Sequence, residues 1–197
     1  MSSQNVPDQM KAARVVGESI PLRERATKTK ANLLALFSEF KKPMSIETIP
    51  VPKDLKEEEC LLKIEAAGWC HTDLQVLEGV YEGAGSKPPL VGSHEPVGRI
   101  VAFGKNGDRN GELKIGDRVG SINTFAPCLK CEACKKGPQL CENMPGMLGL
   151  TLDGGFAEYM RASSRVVQKC PEDIPPEELA PLFCAGATVV RLYFSFC

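Results

Sequence analysis

The chain has 197 residues, 43% of them hydrophobic, with a formal net charge of −1. That length carries one domain, or one domain and part of another, around a real core. A charge so close to zero argues against a nucleic-acid or membrane-surface role resting on bulk electrostatics. Residues 1–10 read as a loose polar tail, and Lys11–Val16 as a strand. Residues 17–40 hold a basic stretch, Arg23–Lys30, and an apolar one, Leu33–Phe37, which suits a short helix. From Met44 the texture changes. Ser45–Val51 and Glu59–Glu65 alternate as strands do, with the charge run Lys53–Glu59 as a solvated turn between them. Val97–Gly104 reads as a buried strand and Leu113–Gly120 as a turn entering another. Phe156–Met160 and Arg165–Gln168 are two more, and Pro175–Ala180 begins like a helix, with proline and acids in the first turn. Short strands punctuated by Gly and Pro predict a mainly β domain with short helices.

The chemistry lies in the cysteines and histidines. Nine cysteines are frequent in secreted disulfide proteins, but here the tight C-x2-C runs are of the metal-binding type and the odd count leaves a thiol over. Residues 1–10 lack an apolar signal core, no run reaches the length of a membrane-spanning helix, and there is no Asn-x-Ser/Thr acceptor; a reducing, cytoplasmic setting is the expectation. Cys128, Cys131, Cys134 and Cys141 form a C-x2-C-x2-C-x6-C array. Four thiolates close the tetrahedral shell of Zn(II), with Zn–S of about 2.3 Å and no open position, so the array predicts a structural zinc lobe. A sparser set follows a different pattern: Cys70-His71-Thr72-Asp73, Gly92-Ser93-His94-Glu95 and Cys184. The only two histidines of the chain lie in these motifs. One imidazole and two thiolates, from Cys70, His94 and Cys184, would leave a zinc one open position for substrate. Asp73 is placed to orient a ligand histidine, and Thr72 to pass a hydroxyl proton outward.

These motifs resemble the zinc-dependent medium-chain alcohol dehydrogenase family over about residues 44–190. Gly68–Asp73 is similar to the family's first ligand turn. Leu90–Gly98 is similar to its second, with Ser93 where glycine is more usual. Lys114–Val119 resembles the barrel turn, and Leu152–Tyr159 and Ala180–Thr188 resemble the segments leading to the cofactor domain. The resemblance implies a GroES-like barrel with a four-cysteine zinc lobe. It places Cys70, His94 and Cys184 on a catalytic zinc, with Glu95 as a carboxylate able to approach the metal. Thr72 becomes the first proton-relay group and His71 a contact to the cofactor pyrophosphate, while Gln75 stands where many members carry the outer relay histidine. It implies two zinc ions per chain, a small alcohol or aldehyde as partner, NAD(P) as hydride acceptor in the full-length family, and homo-oligomers there.

Two features depart from that pattern. Hydride transfer needs a nicotinamide held by a Gly-rich G-x-G-x-x-G turn. Gly83-Ala-Gly85 fails at the third glycine, and Gly98 to Lys105 misses the P-loop spacing by one residue. The expected organisation is therefore a tail and irregular insert over 1–43, a catalytic domain over 44–190 and an aberrant tail over 191–197, without a Rossmann domain. Residues 17–38 read as a retained intron, because removing them joins Val16 to Glu39 in a normal family opening. On this reading the truncated chain is inactive. The rival reading is a non-catalytic zinc-binding GroES-like module.

Overall fold

The computed structural model describes residue 7 and residues 9–13, 36–37 and 39–196. Its centre is a five-stranded antiparallel sheet in the order β10-β4-β6-β7-β11. The strands are β4 (Glu59–Ala67), β6 (Pro96–Phe103), β7 (Arg118–Ser121), β10 (Tyr159–Ser163) and β11 (Val167–Lys169). Leu61 and Val101 turn to one apolar cluster with Val51, Val91 and Ala157. Cys60, Leu62, Ile64 and Ile100 turn to a larger one with Val119, Leu148 and Val167. Both faces of β4 are thus covered over residues 59–62, and beyond them burial alternates, with Lys63 and Glu65 exposed and Ile64 buried. Each such side chain contributes about 1.5–3 kcal/mol through removal from water.

Among the described residues the sheet does not close. β10 and β11 remain its two edges, although residues 164–166 alone connect them. The expected barrel is thus open along this seam. β11 has three residues, all of them paired to β7. The other pairings are two-stranded: β1 (Gln9–Ala13) with β3 (Ile46–Pro50), β2 (Leu36–Phe37) with β5 (Leu90–Val91), and β8 (Thr124–Phe125) with β9 (Gly146–Met147). The helix expected over Leu33–Phe37 is not what Leu36–Phe37 form, because they bond to the backbone of β5. Pairing with an open strand edge satisfies more backbone groups than one isolated helical turn can. The remainder of the proposed insert, 17–35 and 38, lies outside the described residues.

The helices are short: α1 (His71–Leu77), α2 (Glu132–Lys136), α3 (Pro176–Leu179) and α4 (Ala185–Phe196). α3 runs into a 3₁₀ turn, Ala180–Phe183. The tail expected to be aberrant from residue 191 continues helix α4 to Phe196. Among the described residues no helix is long and apolar enough to cross a membrane.

One junction of the sheet matters most. The pairing of β4 with β6 ends at Ala67 opposite Pro96, after a bulge between Ile64 and Ala66. A Cβ at Gly98 would strike the backbone of Lys63, so only glycine permits this close approach at the bend. The end of β4 and the start of β6 therefore project side by side. The first two metal-type motifs hang from them.

Candidate metal centre

Gly68-Trp69-Cys70 leaves β4, while Ser93-His94-Glu95 enters β6. The two loops are joined by Gly68 N–H donating to Glu95 O at 3.1 Å. Cys70 caps α1, and the carboxylate of Asp73 accepts the Cys70 N–H at 2.9 Å. The other Asp73 oxygen accepts the Ser93 N–H at 2.7 Å. Asp73 is fully buried, so one carboxylate staples both loops. Burial pushes its carboxyl up, against the Cys70 N–H, the nearby His94 and the Ser93 N–H, which pull it down.

Cys184 reaches this place from the far end of the chain, following the 3₁₀ turn at the start of α4. Its sulfur lies 3.9 Å from Cys70 Sγ and 3.2 Å from His94 Nε2. Donor atoms of Cys70, His94, Glu95 and Cys184 all lie within 4.8 Å of one another. A tetrahedral zinc with Zn–S of about 2.3 Å sets its sulfurs about 3.8 Å apart, so the Cys70–Cys184 separation fits such an ion. Burial, then the neighbouring Cys70 sulfur, pushes the Cys184 thiol up to about 12. A cation that displaces its proton would relieve that crowding.

Among the described residues His94 Nδ1 is buried without a hydrogen-bond partner, and it stands 3.9 Å from Asp73 Oδ2, beyond hydrogen-bond reach. The direct bonds of Asp73 go to the backbone instead. Glu95 is buried, and a Cβ at Gly68 would overlap its Oε2, so the glycine leaves room for that carboxylate. Thr72 Oγ1 is 3.8 Å from Cys70 Sγ, and His71 is exposed at the start of α1. The Gln75 side-chain oxygen accepts the Tyr81 hydroxyl at 3.1 Å.

The second cluster is local. Cys128 follows β8, Cys131 caps α2, Cys134 lies within α2, and Cys141 follows a 3₁₀ turn. Their sulfurs lie within 4.8 Å of one another, with Cys128 and Cys134 3.9 Å apart. The N–H groups of Lys130 and Cys131 aim at the Cys128 sulfur and lower its thiol to about 6. Burial pushes the Cys134 thiol up to about 12. This lobe also walls a cavity of about 560 Å³ lined by His94, Asn123, Pro138, Phe183 and Thr188. That volume suits a small organic molecule.

Residues 56–172, more than half of the chain, match the family model described as the alcohol dehydrogenase GroES-like domain. The chain belongs to that family. An alcohol dehydrogenase of Geobacillus stearothermophilus is 40% identical over 158 residues, 80% of this chain and 45% of the relative. The solved alcohol dehydrogenase of Aeropyrum pernix aligns with a TM-score of 0.67 at 39% identity, over 79% of this chain and 45% of that one. A structure called CAD from Helicobacter pylori, complexed with NADP(H), aligns with a TM-score of 0.70 at 25% identity, over 82% and 48%. The chain thus spans about half the length of the relatives it matches.

Within this GroES-like domain, the departure at Ser93 acquires a physical reason. Its φ is +70°, the left-handed region where a side chain costs about 1–2 kcal/mol. Its hydroxyl donates to Gly68 O at 2.9 Å and accepts the Glu95 N–H at 3.3 Å, tying the same two loops as Asp73. Sequence reading missed that role, because residue spacing says nothing of where a hydroxyl lands. It also missed the cavity, whose walls come from four separate stretches of chain.

Proposed function

We propose that the chain is the metal-binding half of an NAD(P)-dependent alcohol dehydrogenase. It would carry one structural zinc on Cys128, Cys131, Cys134 and Cys141 and one catalytic zinc on Cys70, His94 and Cys184. The convergence of Cys70, His94 and Cys184 beside a buried Glu95 supports this most, because three donors and a nearby carboxylate leave one position open. The reaction is oxidation of a primary or secondary alcohol to an aldehyde or ketone, with hydride passing to the nicotinamide.

A bound zinc would polarise the alcohol oxygen and lower its pKa. This chain's own residues do the rest. The cavity beside His94 receives the small alcohol and limits its bulk. The Thr72 hydroxyl, next to Cys70, takes the alcohol proton outward. With its side-chain oxygen engaged by Tyr81, Gln75 hands the outer part of that path to water. His71, exposed at the head of α1, meets the cofactor pyrophosphate. Asp73 and Ser93 hold the ligand loops in register.

The 197 residues contain no G-x-G-x-x-G turn. The nicotinamide is therefore to be held by residues outside them, and these residues alone should bind metal without turnover. Metal analysis of the purified chain tests the reading. Two zinc ions per chain, falling to one in Cys184→Ala, are expected. One zinc in the unaltered chain would overturn the catalytic site and favour a zinc-bearing module without catalysis.

A further inference from the structure

Cys184 is the outlier of the ligand set. Cys70 and His94 sit on loops joined to one another, whereas Cys184 comes at the end of a long excursion after β11. Something must fix where that excursion ends. Two observations on β7 converge on it.

The first is Arg118. Its side chain is 11% exposed and its Nε donates to Glu65 Oε2 at 2.7 Å. Its Nη1 faces the carbonyls of Pro171, Glu172 and Ile174, each at 3.2 Å. An arginine is always charged and presents a rigid fork of donors, so it fixes the path of the chain at residues 171–174. The second is Gly120. A Cβ there would fall inside the Phe183 ring, overlapping three of its carbons. The ring packs with Val97, Leu179 and Ala180, and the next residue is Cys184. β7 thus grips the excursion at its start and seats its last side chain before the ligand.

We propose that β7 is the gauge that sets Cys184: Arg118 holds the approach, and the bare Gly120 provides the seat for Phe183 that brings the Cys184 sulfur to Cys70 and His94. Both are positioning residues, with no contact to a reacting atom. The inference rests on the metal reading above.

The test uses the full chain and cobalt(II) as the probe, with the four-cysteine lobe as internal control. Its four-thiolate absorption differs from that of a site with two thiolates and one imidazole. In Gly120→Ala, the second cobalt should bind at least about tenfold more weakly while the lobe fills as before, the size of effect seen when support around a metal ligand is lost. Arg118→Met should act in the same direction. Truncating the ring removes the clash but also gives up the seat, so Gly120→Ala with Phe183→Ala should recover part of the lost affinity for the second cobalt. Gly120→Ala binding both ions at the unaltered affinity would overturn the inference, as would a double variant no better than the single. Were Gly120→Ala to fail to fold, recovery of folding and of both ions in the double variant would carry the proposal, and its failure there would sink it. An unaltered chain that takes only the lobe's cobalt would instead refute the metal reading itself.

Discussion

Removing the Asp73 carboxylate is the sharpest probe of how the two ligand loops are held. Its two oxygens accept from the Cys70 and Ser93 N–H groups at 2.9 and 2.7 Å. Ser93 is fully buried, whereas Cys70 is half-buried and open to water. Stranding a buried N–H costs about 1–3 kcal/mol, and a bond to a charged acceptor carries about 1.5–3 kcal/mol. In Asp73→Asn the remaining carbonyl oxygen should turn to Ser93, leaving the amide to face Cys70, where water can intervene; the loss should be about 1 kcal/mol. In Asp73→Ala both donors are stranded and a small void is added, for about 2–5 kcal/mol. Urea denaturation of the metal-free chain, with a chelator and a reductant present, isolates loop geometry from metal affinity. An Ala variant within about 0.5 kcal/mol of the unaltered chain, the range of a neutral surface change, would refute the staple. So would an Asn variant less stable than the Ala one.

The same logic orders variants at Ser93. Ser93→Ala keeps the left-handed backbone and loses both hydroxyl bonds, for about 1–3 kcal/mol. Ser93→Gly loses the bonds but relieves the backbone, so thermal melting should rank it above Ala; the reverse order would contradict the account. In the core, Ile100 is fully buried between β4 and β7, and Ile100→Ala should cost about 2–5 kcal/mol by urea denaturation, a loss under about 1 kcal/mol speaking against the packing described. At the surface, the Arg99 guanidinium donates twice to Glu172 and holds its carboxyl below the ordinary glutamate value. A lowered value means the pair stabilises fully above the ordinary pKa, 4.5, and loses that contribution as pH falls through the folded value. Glu172→Gln should therefore flatten the acid limb of a Tm-against-pH curve; an unchanged limb would show the pair to be screened out by solvent.

Local pattern carried much of this protein. The strand at Glu59–Ala67 follows from rough apolar–polar alternation and that at Pro96–Phe103 from an apolar run rich in β-branched residues. The cysteine lobe was legible for the same reason. Its four ligands lie between residues 128 and 141, and turns of two residues leave adjacent sulfurs little choice but to converge. Strand β10 starts later than expected, because the N–H groups of Gly154, Gly155 and Phe156 donate to the carbonyls of Val91, Ser93 and Gly92 instead of joining the ladder. Leu36–Phe37 went to a strand edge that no reading of their neighbours reveals.

What the sequence determined by itself, then, was which residues have the chemistry of a metal site, since donor type and short-range spacing are properties of the covalent chain. Only the tertiary structure decided that Cys184 meets Cys70 across 114 positions. It also decided that Asp73 spends its hydrogen bonds on backbone rather than on His94, and that the sheet stays open among the described residues. Those outcomes depend on where strand ends project, which side chain fills a glycine's space, and which buried donor finds an acceptor first. Each is settled by packing between distant segments, about which periodicity and composition carry no information.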